Sequence, residues 1–131
     1  MSLAPGTTHE TTRIVTPDLT ADALGNTGVM VFATPCVLAL IENVCSELLA
    51  PHLPAGGATV GTVVEMKHLA ATPVGMQVRA KATLLETDGR RFVFSVEVWD
   101  AKEKAAEARH ERFLVPDLAK FLARAMKKAE G

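Results

Sequence analysis

Three side chains between positions 34 and 68 of this sequence have types that could do acid–base or nucleophilic work: Thr34, Glu42 and His68. A carboxylate sheltered from water is a stronger base once ionised, because desolvation disfavours its charged form. An imidazole can give or take a proton near neutral pH, and a hydroxyl can orient either group. Each also has an ordinary explanation. Glu42 lies in "TPCVLALIENVCSELLAPHL" (34–53), with Leu38, Ile41, Cys45 and Leu49 as helical neighbours. It also borders Asn43 and Ser46, and judged from that helix alone it reads first as a solvated border residue. Thr34 is sufficiently explained as a helix cap ahead of Pro35, which suits a first helical position. His68 sits on a β-branched run, where a lone histidine is usually just a hydrogen-bonded polar residue.

Other chemistries find little support. His110-Glu111-Arg112 lacks the second histidine of a zinc-protease motif, and His9 and His52 stand at no ligand spacing from it, so no metal is expected. "GGATVGT" lacks the Lys-Ser/Thr of a phosphate loop and reads as a turn into a strand. No Gly-x-Ser-x-Gly elbow is present, and no cofactor is implied.

The elements that must hold these residues follow from periodicity. "HETTRIVT" (9–16) reads as a strand after a loose tail over residues 1–8. Residues 17–30, "PDLTADALGNTGVM", read as a loop or broken helical turn. The helix from Pro35 to about Ala50 has apolar residues round so wide an arc that it should be largely enclosed. "VGTVVEMKHLAAT" (60–72) is a strand ending at the Pro73-Val74-Gly75 turn. "MQVRAKATLLET" (76–87) alternates Val78, Ala80, Ala82 and Leu84 against polar residues. Asp88-Gly89 then signals a hairpin into "RRFVFSVEVWD", with Phe92, Phe94, Val96 and Val98 on one face. "AKEKAAEARHERFLV" (101–115) is ambiguous. Propensity favours helix for its first half, whereas strand register would put Ala106, Ala108, His110, Arg112 and Leu114 on one face. The end, "PDLAKFLARAMKKAE", is an amphipathic helix. The sum is a single α+β domain over residues 1–131, an antiparallel sheet round one long helix, with an open sheet that a partner subunit would cover.

Composition narrows the partners. The 131 residues carry 14 basic and 15 acidic side chains, for a net charge of −1, and no tyrosine. Neither nucleic acid nor an acidic membrane is expected as partner. The two cysteines, Cys36 and Cys45, fall about 13 Å apart on opposite sides of one helix, so they should be free thiols, as in a reducing cytoplasm. "MSLAPGTTHETT" does not read as a signal peptide, and the greasiest stretch is too interrupted to span a bilayer.

Three blocks in order, "VFATPCVLALIENVC", "VGTVVEMKHLAATPVGMQVRAKATLLETDGRRFVFSVEVWD" and "RHERFLV", resemble the fluoroacetyl-CoA thioesterase branch of the hotdog-fold acyl-CoA thioesterases. The resemblance runs from about Gly28 to Val115. It implies a hotdog fold, and it favours strand over helix for residues 101–115. It also implies hydrolysis of an acyl-CoA by a Thr, Glu and His set, onto which Thr34, Glu42 and His68 map. The amide of Gly61 would hold the thioester oxygen. Glu42 would attack the carbonyl or activate water, Thr34 would orient it, and His68 would steady charge or protonate the leaving thiolate. The family further implies a homodimer or higher oligomer with sites at the subunit interface, where Thr34 and Glu42 would face a pocket completed by the other chain's strand. CoA phosphates need cations, for which Arg90, Arg91, Lys67 and Lys81 are available. The sequence departs from the branch in one respect: "DLTADALGNTGVM" is shorter than the aromatic lid segment of the fluoroacetyl enzyme and carries no aromatic. A small or medium acyl group is therefore expected rather than fluoroacetate. A hydratase would need an Asp that is not in place. A hotdog protein that binds acyl-CoA without turning it over is the remaining alternative.

Overall fold

A computed structural model describes residues 3–130. The chain runs β1 (Thr8–Ile14), α1 (Thr34–Leu49), β2 (Ala58–His68), β3 (Gln77–Thr87), β4 (Arg91–Trp99), β5 (Lys104–Val115) and α2 (Leu118–Met126). The five strands form one antiparallel sheet in the order β1-β3-β4-β5-β2. α1 packs against one face of it.

The alternation in β3 and β4 decides which face that is. Val78, Ala80, Ala82 and Leu84 are fully buried, as are Phe94 and Val98, with Phe92 and Val96 nearly so. They meet Val37, Leu40, Ile41, Val44, Cys45, Leu48 and Leu49 of α1 in one core. Burying a side chain such as Ile41 stabilises the fold by about 1.5–3 kcal/mol. Ala80, Ala82 and Ala106 keep the inner face of the sheet low where the helix lies on it.

Enclosure of α1 is only one-sided. Thr34, Pro35, Ala39 and Asn43 remain exposed and Glu42 is half-buried, because the sheet covers one flank and no other described element covers the opposite one. The start of α1 also differs from expectation. Ala33 occupies the cap position without a side-chain bond, and Thr34 is the first helical residue. Its hydroxyl is engaged elsewhere, as described below.

Other boundaries shift for local reasons. Gly6 N–H donates to Leu84 O and Leu84 N–H donates to Thr7 O, so residues 6–8 already run along β3; the first two residues of the expected tail lie outside the described residues. Two 3-10 turns, Pro17–Leu19 and Asp22–Leu24, occupy the expected loop. β2 stops at His68 rather than continuing to residue 72. Residues 104–115 form β5 despite helical propensity, because β4 and β2 pair with it on both sides and two ladders outweigh a weak local preference. Asp100 turns the chain into it, accepting from the N–H groups of Lys102 and Glu103. α2 is capped by Asp117, which accepts from Lys120 N–H, and leaves Phe121, Leu122 and Met126 exposed. Among the described residues no helix is long and apolar enough to cross a membrane.

Candidate active site

His68 is the last residue of β2, and Thr34 the first of α1, so two element ends meet. Thr34 Oγ1 and His68 Nδ1 are hydrogen-bonded at 2.8 Å. The other ring nitrogen, His68 Nε2, is buried and makes no hydrogen bond among the described residues. Such an orphan in a polar site calls for a partner, since leaving a buried polar atom unpaired costs about 1–3 kcal/mol. Desolvation lowers the pKa of His68, while the nearby Ala70 carbonyl, short of hydrogen-bond geometry, opposes the shift. The pair opens into a cleft of about 330 Å³ that also touches Asn26, Val29, Phe32 and Leu69.

Glu42 lies two turns further along α1, about 12 Å from Thr34 by helical rise. It is not hydrogen-bonded to either partner of the first pair. It belongs instead to a second group, built on β2 and β5. Gly61 of β2 stands opposite Arg112 of β5 in the ladder. A Cβ built on Gly61 would lie 3.1 Å from His110 Cε1 and 3.4 Å from both Arg112 Nη1 and the Glu42 carboxyl carbon. Glycine therefore leaves the one open spot on which three polar side chains converge. Arg112 Nη1 is 4.0 Å from Glu42 Oε2, an ion pair but too long for a hydrogen bond. The Arg112 side chain is 7 % exposed and that of Glu42 40 %.

Of the expected site residues, the structure thus joins Thr34 to His68 and Glu42 to Gly61, and among the described residues no hydrogen bond or ion pair links Glu42 to Thr34 or His68. Arg91 is already matched by Glu111 Oε1 at 2.7 Å and Glu86 at 3.6 Å on the outer face of the sheet. Those bonds hold its pKa up, the Glu111 hydrogen bond foremost. Arg90 sits exposed at the β3–β4 hairpin, where Asp88 Oδ1 accepts from its backbone N–H. Lys67 and Lys81 are exposed strand residues. Burial pushes the Cys45 thiol pKa up, which makes it a poor nucleophile. A larger hollow of about 550 Å³ lies on the outer face among Glu65, Lys67, Glu97, Lys104, Glu107 and Arg109 and touches neither group.

Sequence reasoning missed His110 and Arg112 as functional residues. The signal was available: in strand register both fall on the face of Ala106, Ala108 and Leu114, and polar residues on an apolar face must be buried with partners. Both are, at 0 % and 6 % exposure.

A five-stranded antiparallel sheet curled against one long helix, with polar groups at the helix start and on the edge strand, is the hotdog fold of the thioesterases. The model of the fluoroacetyl-CoA-specific thioesterase family matches residues 15–117, and the chain belongs to that family of thioester hydrolases. It is 36 % identical over 98 residues to the fluoroacetyl-CoA thioesterase of Streptantibioticus cattleyicolor, covering 75 % of this chain and 70 % of that protein. The crystal structure of a mutant of the fluoroacetyl-CoA-specific thioesterase FlK superposes with a TM-score of 0.92 at 30 % identity, covering 98 % of each chain. A Thermus thermophilus member of the thioesterase superfamily gives 0.86 at 27 % identity, covering 98 % of this chain and 96 % of that one.

Proposed function

We propose that this protein hydrolyses an acyl-CoA to the carboxylate and free CoA, with Glu42 of one copy acting on substrate beside Thr34 and His68 of a second. The observation that carries this reading is the pairing of Thr34 with His68 while His68 Nε2 stays buried and unpartnered. The carboxylate that would complete the set lies about 12 Å along the same helix. β2 is an edge strand, and the flank of α1 that carries Thr34 and Glu42 is uncovered. A second copy joined there buries the open edge and brings each half-site to the other.

In this arrangement Glu42 attacks the thioester carbonyl or takes a proton from the attacking water. The Gly61 amide holds the developing oxyanion, an interaction worth about 3–4 kcal/mol in comparable sites. Thr34 orients the Glu42 carboxylate or the water, and His68 steadies charge or protonates the leaving thiolate. The acyl group is small or medium. Fluoroacetyl-CoA, named for the Streptantibioticus cattleyicolor relative and for FlK, is the first ester to try, although the segment before α1 is built from two short 3-10 turns and contains no aromatic residue before Phe32.

The test follows thiol release from a panel of short, branched and aryl acyl-CoA esters, fluoroacetyl-CoA included. Glu42→Gln and His68→Ala should each cut turnover at least about 100-fold with the assembly intact. Hydrolysis of none of the esters, with measurable acyl-CoA binding, would favour the non-catalytic binding reading. Full turnover by Glu42→Gln would refute the mechanism.

A further inference from the structure

β2 is irregular between Gly61 and Val63, where its register against β5 shifts by one residue. The Val63 carbonyl there accepts a hydrogen bond from a side chain, with His110 Nδ1 2.7 Å away. A carbonyl only accepts, so Nδ1 carries the ring proton and Nε2 keeps its lone pair. That lone pair faces Arg112, whose Nη1 donates to it at 3.2 Å. Two further bonds hold the same guanidinium: Nε donates to Thr59 Oγ1 at 2.9 Å and Nη2 to Thr59 O at 2.8 Å. Bracketed on both sides, Arg112 has one direction left, and its Nη1 faces Glu42.

Burial and the neighbouring guanidinium favour the neutral imidazole. Phe94 of β4 stacks on it with ring centroids 6.4 Å apart, and the residue is fully buried. Desolvation pulls its pKa down and the Arg112 charge adds to that, against the Val63 bond and the carboxylates of Glu42 on α1 and Glu111 on β5. A proton on Nε2 would put an N–H against the guanidinium N–H and break the contact.

We propose that His110 is a positioning residue for Glu42, fastening the β2 bulge beside Gly61 through Nδ1–H and aiming the Arg112 guanidinium at the Glu42 carboxylate through Nε2. The role rests on the thioesterase reading above. It ties the amide that would hold the oxyanion and the cation that faces the base to one ring. Positioning of this kind affects turnover more than ground-state binding.

Two measurements test it. In ¹⁵N-labelled wild-type protein, the His110 ring should appear as the neutral Nδ1–H tautomer at about pH 7 and titrate only below the ordinary 6.5. An Nε2–H tautomer, or titration near the ordinary histidine value, would overturn the proposal. Next, His110→Asn keeps a donor near Val63 O but places no acceptor near Arg112. It should fold and assemble, with kcat about tenfold lower and KM within about twofold of wild type. Where His110→Asn fails to fold, the tautomer alone decides. Wild-type protein inert toward every thioester removes the catalytic reading and this role with it. An active wild type matched in kcat by folded His110→Asn removes this role alone.

Discussion

Thr34 illustrates how a residue's chemistry is decided by what its hydroxyl touches. A capping threonine replaced by an apolar residue costs about 1 kcal/mol of helix stability. Here Ala33 holds the cap position and the Thr34 hydroxyl bonds His68. Thr34→Val should therefore cost about 0.5–1.5 kcal/mol, through the lost bond to His68 rather than through a lost cap, while lowering turnover at least tenfold or so, as denaturant titration and thiol release would show. Two imidazoles, His110 buried and His68 half-buried, give a pH prediction. Burial holds the pKa of His68 and His110 below the ordinary 6.5. Between that lowered value and 6.5 the unfolded chain binds more protons than the folded one, so stability rises with pH across this window. The contribution is fully present above 6.5 and lost as pH falls through the window. Urea unfolding from about pH 7.5 down to about pH 5 should show this slope, and His110→Asn should reduce it to the part contributed by His68. None of this could be read from single letters, because each of the three expected residues had an ordinary explanation in its own segment.

At the level of elements, the meeting of β2 with β5 governs the site. The ladder puts Gly61 opposite Arg112, and the absent side chain at Gly61 is the room that Glu42, His110 and Arg112 share. Gly61→Ala would press its methyl to 3.1 Å from His110 Cε1. The expected result is a folded protein with turnover reduced about tenfold or more, measured by thiol release beside circular dichroism. β3 and β4 were legible from alternation and their Asp-Gly turn, since both signals act over neighbouring residues. β5 was ambiguous from its own residues, since Ala, Glu, Lys and Arg favour helix while its register allows a strand, and only the family resemblance favoured strand. Pairing with strands distant in sequence makes it one. His110 and Arg112 share a face in that register, but the groups they meet there are set by the fold.

The whole molecule carries the last predictions. One chain brings Thr34 to His68 and Glu42 to Gly61, the two groups proposed to complete one another across copies. If two copies complete each other, a mixture of inactive Glu42→Gln and inactive His68→Ala chains should regain about a quarter of wild-type activity. Half of randomly formed dimers would be mixed, and each would hold one intact site. No recovery after demonstrated subunit exchange would place all three groups within one chain's reach and end the shared-site reading. In the core beneath, Ile41 is fully buried between helix and sheet. Ile41→Ala should cost about 2–5 kcal/mol in denaturant unfolding, with activity per folded molecule near normal.

Sequence by itself determined the order of elements, the buried face of β3 and β4, and the family, because periodicity and motif order are local or linear properties. It also supplied Thr34, Glu42, His68 and Gly61 as candidates. Tertiary structure alone decided which of them touch. Thr34 reaches His68 and Glu42 reaches the Gly61–Arg112 pair because strand register and helix placement bring together residues that lie 19 to 70 positions apart along the chain.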